Sequence, residues 1–207
     1  GQPEFWRASR IGLTGGIGSG KSTFGALLQK RGAALVDSDQ IARQVTGPGG
    51  AAIAAIVQRF GPEFVDDTGA LDRGRMRELA YSTPDARTAL EAIVHPLVSL
   101  HSSQQAQAAE DAGTRVIVFD VPLLVESGRW VQRLDTVIVI DCPPAVQIQR
   151  VMRRSGLNRS TVEAILAAQS PRNIRRASAD IVVHNGDNCT LADLQKMAEQ
   201  VATRLGL

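Results

Sequence analysis

Four glycines fall within eleven residues of this chain, Leu13 to Thr23, "LTGGIGSGKST". Glycine weakens the interior of any helix or strand, so this backbone is shaped for neither. Before it stands a short apolar run, "RIGLT" (residues 10–14), which predicts a strand. After it stands "FGALLQKRG" (residues 24–32), which predicts a helix stopped by glycine. A strand, a turn of the form G-x-x-x-x-G-K-[ST] from Gly15 to Ser22, and a helix together make a phosphate loop.

The chemistry of such a loop follows from its backbone. Glycines let the chain wrap an anion without side-chain clashes and take positive φ angles. Open N–H groups at the helix start point at the anion, and the helix dipole adds to the attraction. Gly16, Ile17, Gly18, Ser19, Gly20, Lys21, Ser22 and Thr23 are therefore candidate nucleoside-triphosphate-binding residues. Lys21 can reach the β- and γ-phosphates, and the Ser22 hydroxyl can ligate Mg²⁺. The motif specifies a nucleoside triphosphate and Mg²⁺ but no reaction.

Four further apolar runs predict strands: "AALVD" (33–37), "RVIVFD" (115–120), "TVIVID" (136–141) and "DIVVH" (180–184). Such nearly continuous β-branched runs suit strands buried on both faces, and interleaved helices imply parallel pairing. The expected fold class is α/β, a three-layer P-loop core on a mostly parallel five-stranded sheet, carrying a helical insert and a helical lid. The core is expected over residues 10–46, 114–142 and 180–207, the insert over 47–113 and the lid over 143–179. Within the insert, Thr83-Pro84 predicts a helix start, and "GPEFVDDTGALD" (61–72) predicts a surface loop. In the lid, Ser160-x-x-Glu163 predicts a capping box, and a final helix is expected near Thr190, with Asp193 three residues on.

The second predicted strand runs into "VDSDQIAR" (36–43). Strand ends in such a sheet line the ligand crevice. If the backbone stays extended there, Asp37 and Asp39 point the same way. One carboxylate can take the proton of an acceptor hydroxyl and the other can hold a metal-bound water. Asp39 is the preferred base because it lies further out; the competing reading is that Asp39 or Ser38 caps the next helix. Arg43, one turn later, can hold a substrate phosphate. Asp120, ending an apolar strand, is a candidate Mg²⁺ group. Pro122 forces an extended exit, and Glu126 follows as a candidate substrate contact or a surface carboxylate.

Charge is distributed unevenly. From Ala145 to Arg176 there are seven arginines against the single Glu163, a net +6 that leaves −4 on the rest of a chain whose total is +2. Arg150 and Arg154 share a helix face at i,i+4 and would repel unless an anion lay between them. That pattern suggests a lid stabilising charge during phosphoryl transfer. No aromatic residue interleaves these arginines to stack on bases, so a nucleic-acid partner is not expected. Nor does the chain fit a signalling GTPase. No Asn-Lys-x-Asp follows a strand, and "DDTG" (66–69) follows a loop.

With 207 residues, 43% apolar and 21% charged, the chain suits one ordinary domain with small added lobes. No apolar run reaches the roughly 18 residues that a membrane span needs, so no membrane partner is expected. Cys142 and Cys189 form no C-x-x-C pair and are expected to be reduced thiols in a cytoplasmic protein. The chain is expected to be a monomer or a weak homo-oligomer. It begins with Gly rather than Met, and part of "GQPEFWRAS" is set aside as an expected expression remnant.

Taken together, "GLTGGIGSGKST", "VDSDQIARQV", "GALDR", "HPLV", "VPLLVESG", "QIQRVMRRSGL", "AAQ" and "ADIVVHNG" resemble the dephospho-coenzyme A kinase family from Ile11 to about Asn185. The resemblance implies ATP-dependent phosphorylation of the ribose 3′-hydroxyl of dephospho-coenzyme A. It implies that Gly16 to Thr23 hold the ATP phosphates and that Asp39 is the base, with Asp37 beside it. Arg43, His95 and the turn containing Pro122, Leu123 and Glu126 would line the acceptor site. Arg150 and Arg154 would belong to the lid, and Asn185-Gly186 would lie beside adenine. Read alone, His95 before Pro96 can also orient the helical insert. The chain departs from the family pattern at His184, where an acid is usual, and at Ala164, where an arginine is common. The alternative is another P-loop nucleotide or small-molecule kinase with a different insert.

Overall fold

The computed structural model describes residues 7–121, 134–169, 172–177 and 179–207. All five predicted strands form, within a residue of their expected ends. They are β1 (Ser9–Gly15), β2 (Ala34–Asp37), β3 (Val116–Asp120), β4 (Thr136–Asp141) and β5 (Ile181–His184), in the order β2-β3-β1-β4-β5. The pairs β1–β3, β1–β4 and β4–β5 are parallel. The most apolar runs lie inside the sheet: every residue of β3 and all but the first of β4 are buried. That is the two-faced burial a parallel sheet under helices requires.

Helix α1 (Lys21–Lys30) follows the glycine-rich turn and presses Phe24 and Leu28, both 0% exposed, against Ile11 and Leu13 of β1 and Ile138 and Ile140 of β4. Gly25 faces Leu13 and Leu35 closely, so the helix can approach the sheet there. The helix stops as expected: Gly32 takes φ +107°, and Ala33 N–H returns to the Leu28 carbonyl. Leu194, Ala198, Val201 and Ala202 of the last helix complete the same core. Each large side chain buried here contributes roughly 1.5–3 kcal/mol.

The chain divides into two compact units, Gly1–Val36 with Ala108–Leu207, and Asp37–Gln107. The second is built on α2 (Ser38–Val45), α3 (Ile53–Phe60), α4 (Arg73–Ser82) and most of α5 (Pro84–Asp111). The α5 helix starts at Pro84 as predicted and continues through Pro96. The segment expected as a surface loop is more structured than that. A 3₁₀ turn spans Pro62–Phe64, and Val65 bridges Leu71. Asp66 Oδ1 ties Thr68 and Ala70 together, while Phe64 and Leu71 are buried. Two apolar side chains among the turn residues anchor it.

In the first unit, β4 is followed by α6 (Pro144–Ser155), α7 (Arg159–Ala167) and α8 (Arg172–Ala177), and β5 by α9 (Leu191–Arg204). Ile148, Val151 and Val162 form a small core that also takes the Ile17 side chain. The cap of α7 differs from expectation. Asn158, in extended conformation, accepts the Thr161 N–H at 2.8 Å, whereas Ser160 lies inside the first turn and donates to Asn158. Glu163 pairs with Arg159 instead, at 2.8 Å. An Asn two residues upstream caps as well as a Ser, so the helix begins there. Helix α9 starts where expected, and Thr190 and Asp193 form a capping box there.

Candidate active site

The central strand β1 delivers Gly15 beside Ile140 of β4, and a Cβ on Gly15 would lie 3.1 Å from the Ile140 carbonyl. The loop then turns on Gly18 (φ +73°) and Gly20 (φ +89°), both in the left-handed region. Gly20 is the N-cap of α1 and supplies no side-chain cap, and no acid stands in the first helical turn. The helix thus starts with N–H groups and a positive dipole end that nothing acidic in its own first turn neutralises, the condition for anion binding.

The space behind those glycines is filled by the protein itself. A Cβ on Gly18 would meet the Gln147 carbonyl and Val151 Cγ2, each at 2.9 Å, and one on Gly20 would meet Asn185 Nδ2. Ile17 is held on both polar sides. Its carbonyl accepts from Gln147 Nε2 at 2.9 Å, and its N–H donates to Gln169 Oε1 at 3.4 Å.

Lys21 Nζ stands 2.5 Å from Asp120 Oδ1, with side-chain exposures of 12% and 6%. Asp120 ends β3 in register with Leu13 of β1, so the sheet itself brings the strand-end carboxylate to the loop lysine. Ser22 lies exposed in the first turn of α1. Magnesium takes oxygen donors and usually only one or two from protein, the rest being water and phosphate. A nearly buried carboxylate and a hydroxyl fit that requirement. No cluster of three or more His, Cys, Asp or Glu capable of holding a metal occurs among the described residues.

Arg150 does not project freely. Its guanidinium donates to the carbonyls of Gly18 (3.3 Å), Asn185 (3.2 Å) and Gly186 (3.1 Å), and to Cys142 Sγ at 3.4 Å. Arg154, one turn on, is exposed. The like-charge pair is therefore relieved by carbonyl oxygens for one member and by solvent for the other. Asn185 Nδ2 donates to the Ser19 carbonyl at 2.7 Å and its N–H to Asp141 O at 2.8 Å, which ties the turn after β5 to the loop.

Asp141 at the end of β4 is buried and receives Arg172 through two 2.8 Å bonds, with His184 Nδ1 at 3.1 Å and Arg176 at 3.9 Å. The Arg172 guanidinium holds the Asp141 carboxyl below its ordinary value against the opposing effect of burial. His184 is thus a partner of the Asp141 carboxylate.

In the second unit, Asp37 is the N-cap of α2, its Oδ1 accepting from Asp39 N–H (3.0 Å) and Gln40 N–H (3.1 Å). The backbone is therefore not extended through Asp39, which lies exposed in the first helical turn. The cap is thus Asp37, not Asp39 or Ser38 as the competing reading had it, because an aspartate at the end of a strand can satisfy two orphan N–H groups at once. Arg43 is exposed four residues after Asp39, on the same face of α2. His95 is exposed on α5. Pro122, Leu123 and Glu126 lie outside the described residues.

A sequence model of the family described as CoaE, dephospho-CoA kinase, matches residues 9–190. The chain belongs to the dephospho-CoA kinase family. A dephospho-CoA kinase of Albidiferax ferrireducens is 52% identical over 198 residues, 96% of this chain and 93% of that protein. A crystal structure from Thermus thermophilus, 34% identical, matches with a TM-score of 0.80 over 97% of this chain and 99% of that one. The dephospho-CoA kinase of Campylobacter jejuni, 24% identical, matches with a TM-score of 0.71 over 96% and 98% and shows the shared fold.

Three residues against the family's phosphate loop and sheet end escaped the sequence reading: Gln147, Asp141 and Arg172. Gln147 had a legible signal. It is a polar residue one turn before Val151, on a helix face otherwise occupied by apolar side chains. Asp141 and Arg172 are 31 residues apart and had none.

Proposed function

We propose that this chain transfers the γ-phosphoryl group of ATP to the ribose 3′-hydroxyl of dephospho-coenzyme A, giving coenzyme A and ADP. The single observation that carries this reading is the family match over residues 9–190, spanning both the phosphate loop and the helical second unit. Gly16 to Thr23 hold the triphosphate, with Lys21 on its β- and γ-oxygens. Ser22 and Asp120 would hold Mg²⁺, which, when bound, would neutralise charge on the phosphates. Lys21 exchanges Asp120 for a phosphate oxygen as the nucleotide arrives.

Asp39 accepts the proton of the acceptor hydroxyl as its oxygen attacks the γ-phosphorus and the bond to the bridging oxygen of ADP breaks. A surface position at the start of a helix suits a base that must meet a separate substrate. Arg43 and His95 contact the acceptor, as do Pro122, Leu123 and Glu126. Arg150 and Arg154 act on the donor side, and Asn185-Gly186 flank the adenine. The reaction needs positioning and charge neutralisation more than covalent help, so most of these groups are donors and cations. The same reading makes the protein cytoplasmic, and the two free thiols, Cys142 and Cys189, support it.

A coupled ADP-release assay with ATP and Mg²⁺ tests the reading. Turnover is expected with dephospho-coenzyme A and not with adenosine, AMP or shikimate. No turnover with dephospho-coenzyme A, or equal turnover with another acceptor, overturns it.

A further inference from the structure

Three successive carbonyls of the phosphate loop, those of Ile17, Gly18 and Ser19, each accept a hydrogen bond from a side chain outside the loop. The donors are Gln147 Nε2 at 2.9 Å, Arg150 Nη1 at 3.3 Å and Asn185 Nδ2 at 2.7 Å. Gln147 is 1% exposed and Asn185 is 6% exposed. Buried side-chain amides are costly unless bonded, so both are committed to these carbonyls.

The peptide unit is planar and trans, so fixing a carbonyl oxygen fixes the N–H of the next residue in the opposite direction. Gln147 thereby sets the direction of the Gly18 N–H, and Asn185 sets that of the Gly20 N–H. These are the two glycines of the loop with positive φ, where the backbone has the most freedom to rotate. Close packing seals the arrangement from behind, since the Gln147 backbone and the Val151 side chain lie against Gly18 and the Asn185 side chain against Gly20.

We infer that Gln147 and Asn185 are positioning residues for the donor phosphates: by holding the Ile17 and Ser19 carbonyls, they aim the Gly18 and Gly20 N–H groups into the anion cradle before the nucleotide binds. This rests on the reading of the loop as the ATP phosphate site. It assigns Gln147 a role, and it gives Asn185 one that does not depend on contact with adenine. An anion site gains affinity when its donors need no reorganisation.

The test measures binding by calorimetry, at fixed Mg²⁺, of three probes: ATP, inorganic tripolyphosphate and dephospho-coenzyme A. Gln147→Met keeps the side-chain length and removes the donor, which leaves a loop carbonyl unsatisfied. It is expected to weaken ATP and tripolyphosphate by the same factor, about tenfold. Dephospho-coenzyme A affinity should stay within about twofold, because the change acts on the donor phosphates alone. Asn185→Asp, which sets an oxygen against the Ser19 carbonyl, should do the same and more strongly, and it carries the test if Gln147→Met fails to fold. A folded variant that weakens all three probes together would show a general structural role for the side chain and overturns the inference. So does unchanged tripolyphosphate binding, whether ATP weakens, as a contact to the base would produce, or not. Wild-type protein that binds both phosphate probes yet does not phosphorylate dephospho-coenzyme A would overturn the acceptor assignment alone, and the binding ratio would still support this inference.

Discussion

Lys21 and Asp120 form a nearly buried ion pair, 2.5 Å apart, between the first residue of α1 and the last of β3. The pair joins the phosphate loop to the strand beside it. Removing one partner of such a pair leaves a charge in a poorly solvated place, at a cost of about 3–5 kcal/mol. Lys21→Met is therefore expected to lower both stability and turnover. Thermal unfolding without nucleotide should show the stability loss, and steady-state assays a fall in kcat/KM. A variant that loses turnover but keeps the wild-type Tm would show that the pair contributes nothing to the fold.

Asp37 and Asp39 should separate by assay. Asp37→Ala removes the cap of α2 and is expected to cost about 1 kcal/mol, read as a drop in Tm. Asp39→Asn leaves that cap in place and is expected to lower kcat by a factor on the order of 10² with little change in Tm. An unchanged kcat in Asp39→Asn would remove the general-base role from this residue.

Asp141 makes stability sensitive to acid. Arg172 chiefly, with His184 and Arg176, keeps its carboxyl below the ordinary 3.8. A depressed carboxylate binds its proton more weakly in the folded state than in the unfolded chain. Its contribution is thus complete above the ordinary value and is lost as the pH falls through the lowered one. Melting curves collected from about pH 6 down to about pH 2.5 should show wild type losing stability on the acid side more steeply than Asp141→Asn. Parallel curves would mean the Arg172 bonds do not persist in solution.

Of two glycines close to the loop, one should tolerate an added methyl group and the other should not. Gly20→Ala forces an L side chain to φ +89° and against Asn185, and is expected to destabilise by about 1–3 kcal/mol. Gly186→Ala meets nothing within 4 Å and has ordinary φ, so its Tm should stay close to wild type. Denaturant midpoints of the two variants give the comparison.

Much of this protein was legible in one dimension because its signals are local. Five β-branched runs, a glycine-rich turn before an amphipathic helix, and proline or Thr-x-x-Asp at helix starts each act within a few residues. The sheet could be expected strand by strand, since short apolar runs set between turn residues and helical stretches suit strands packed under helices.

Where neighbouring signals competed, the sequence alone left the outcome open. Asp37 and Asp39 carry the same carboxylate, and the three-dimensional structure made the first a cap because two N–H groups of α2 lay within its reach. Asn158 displaced Ser160 as the cap of α7 for the same reason.

The partners of long-range polar contacts had no sequence signature, even where, as at Gln147, a polar residue on an apolar helix face stood out. Nothing in "QIQRVMRR" says that Gln147 reaches a carbonyl 130 positions earlier, or that Arg150 turns back onto the Gly18 and Asn185 carbonyls. The sequence by itself determined the phosphate grip and the strands that present it, through apolar periodicity and glycine's backbone freedom. Only the tertiary structure decided how the loop is held from behind, because unsatisfied carbonyls and buried amides find partners by proximity in space, whatever their separation along the chain.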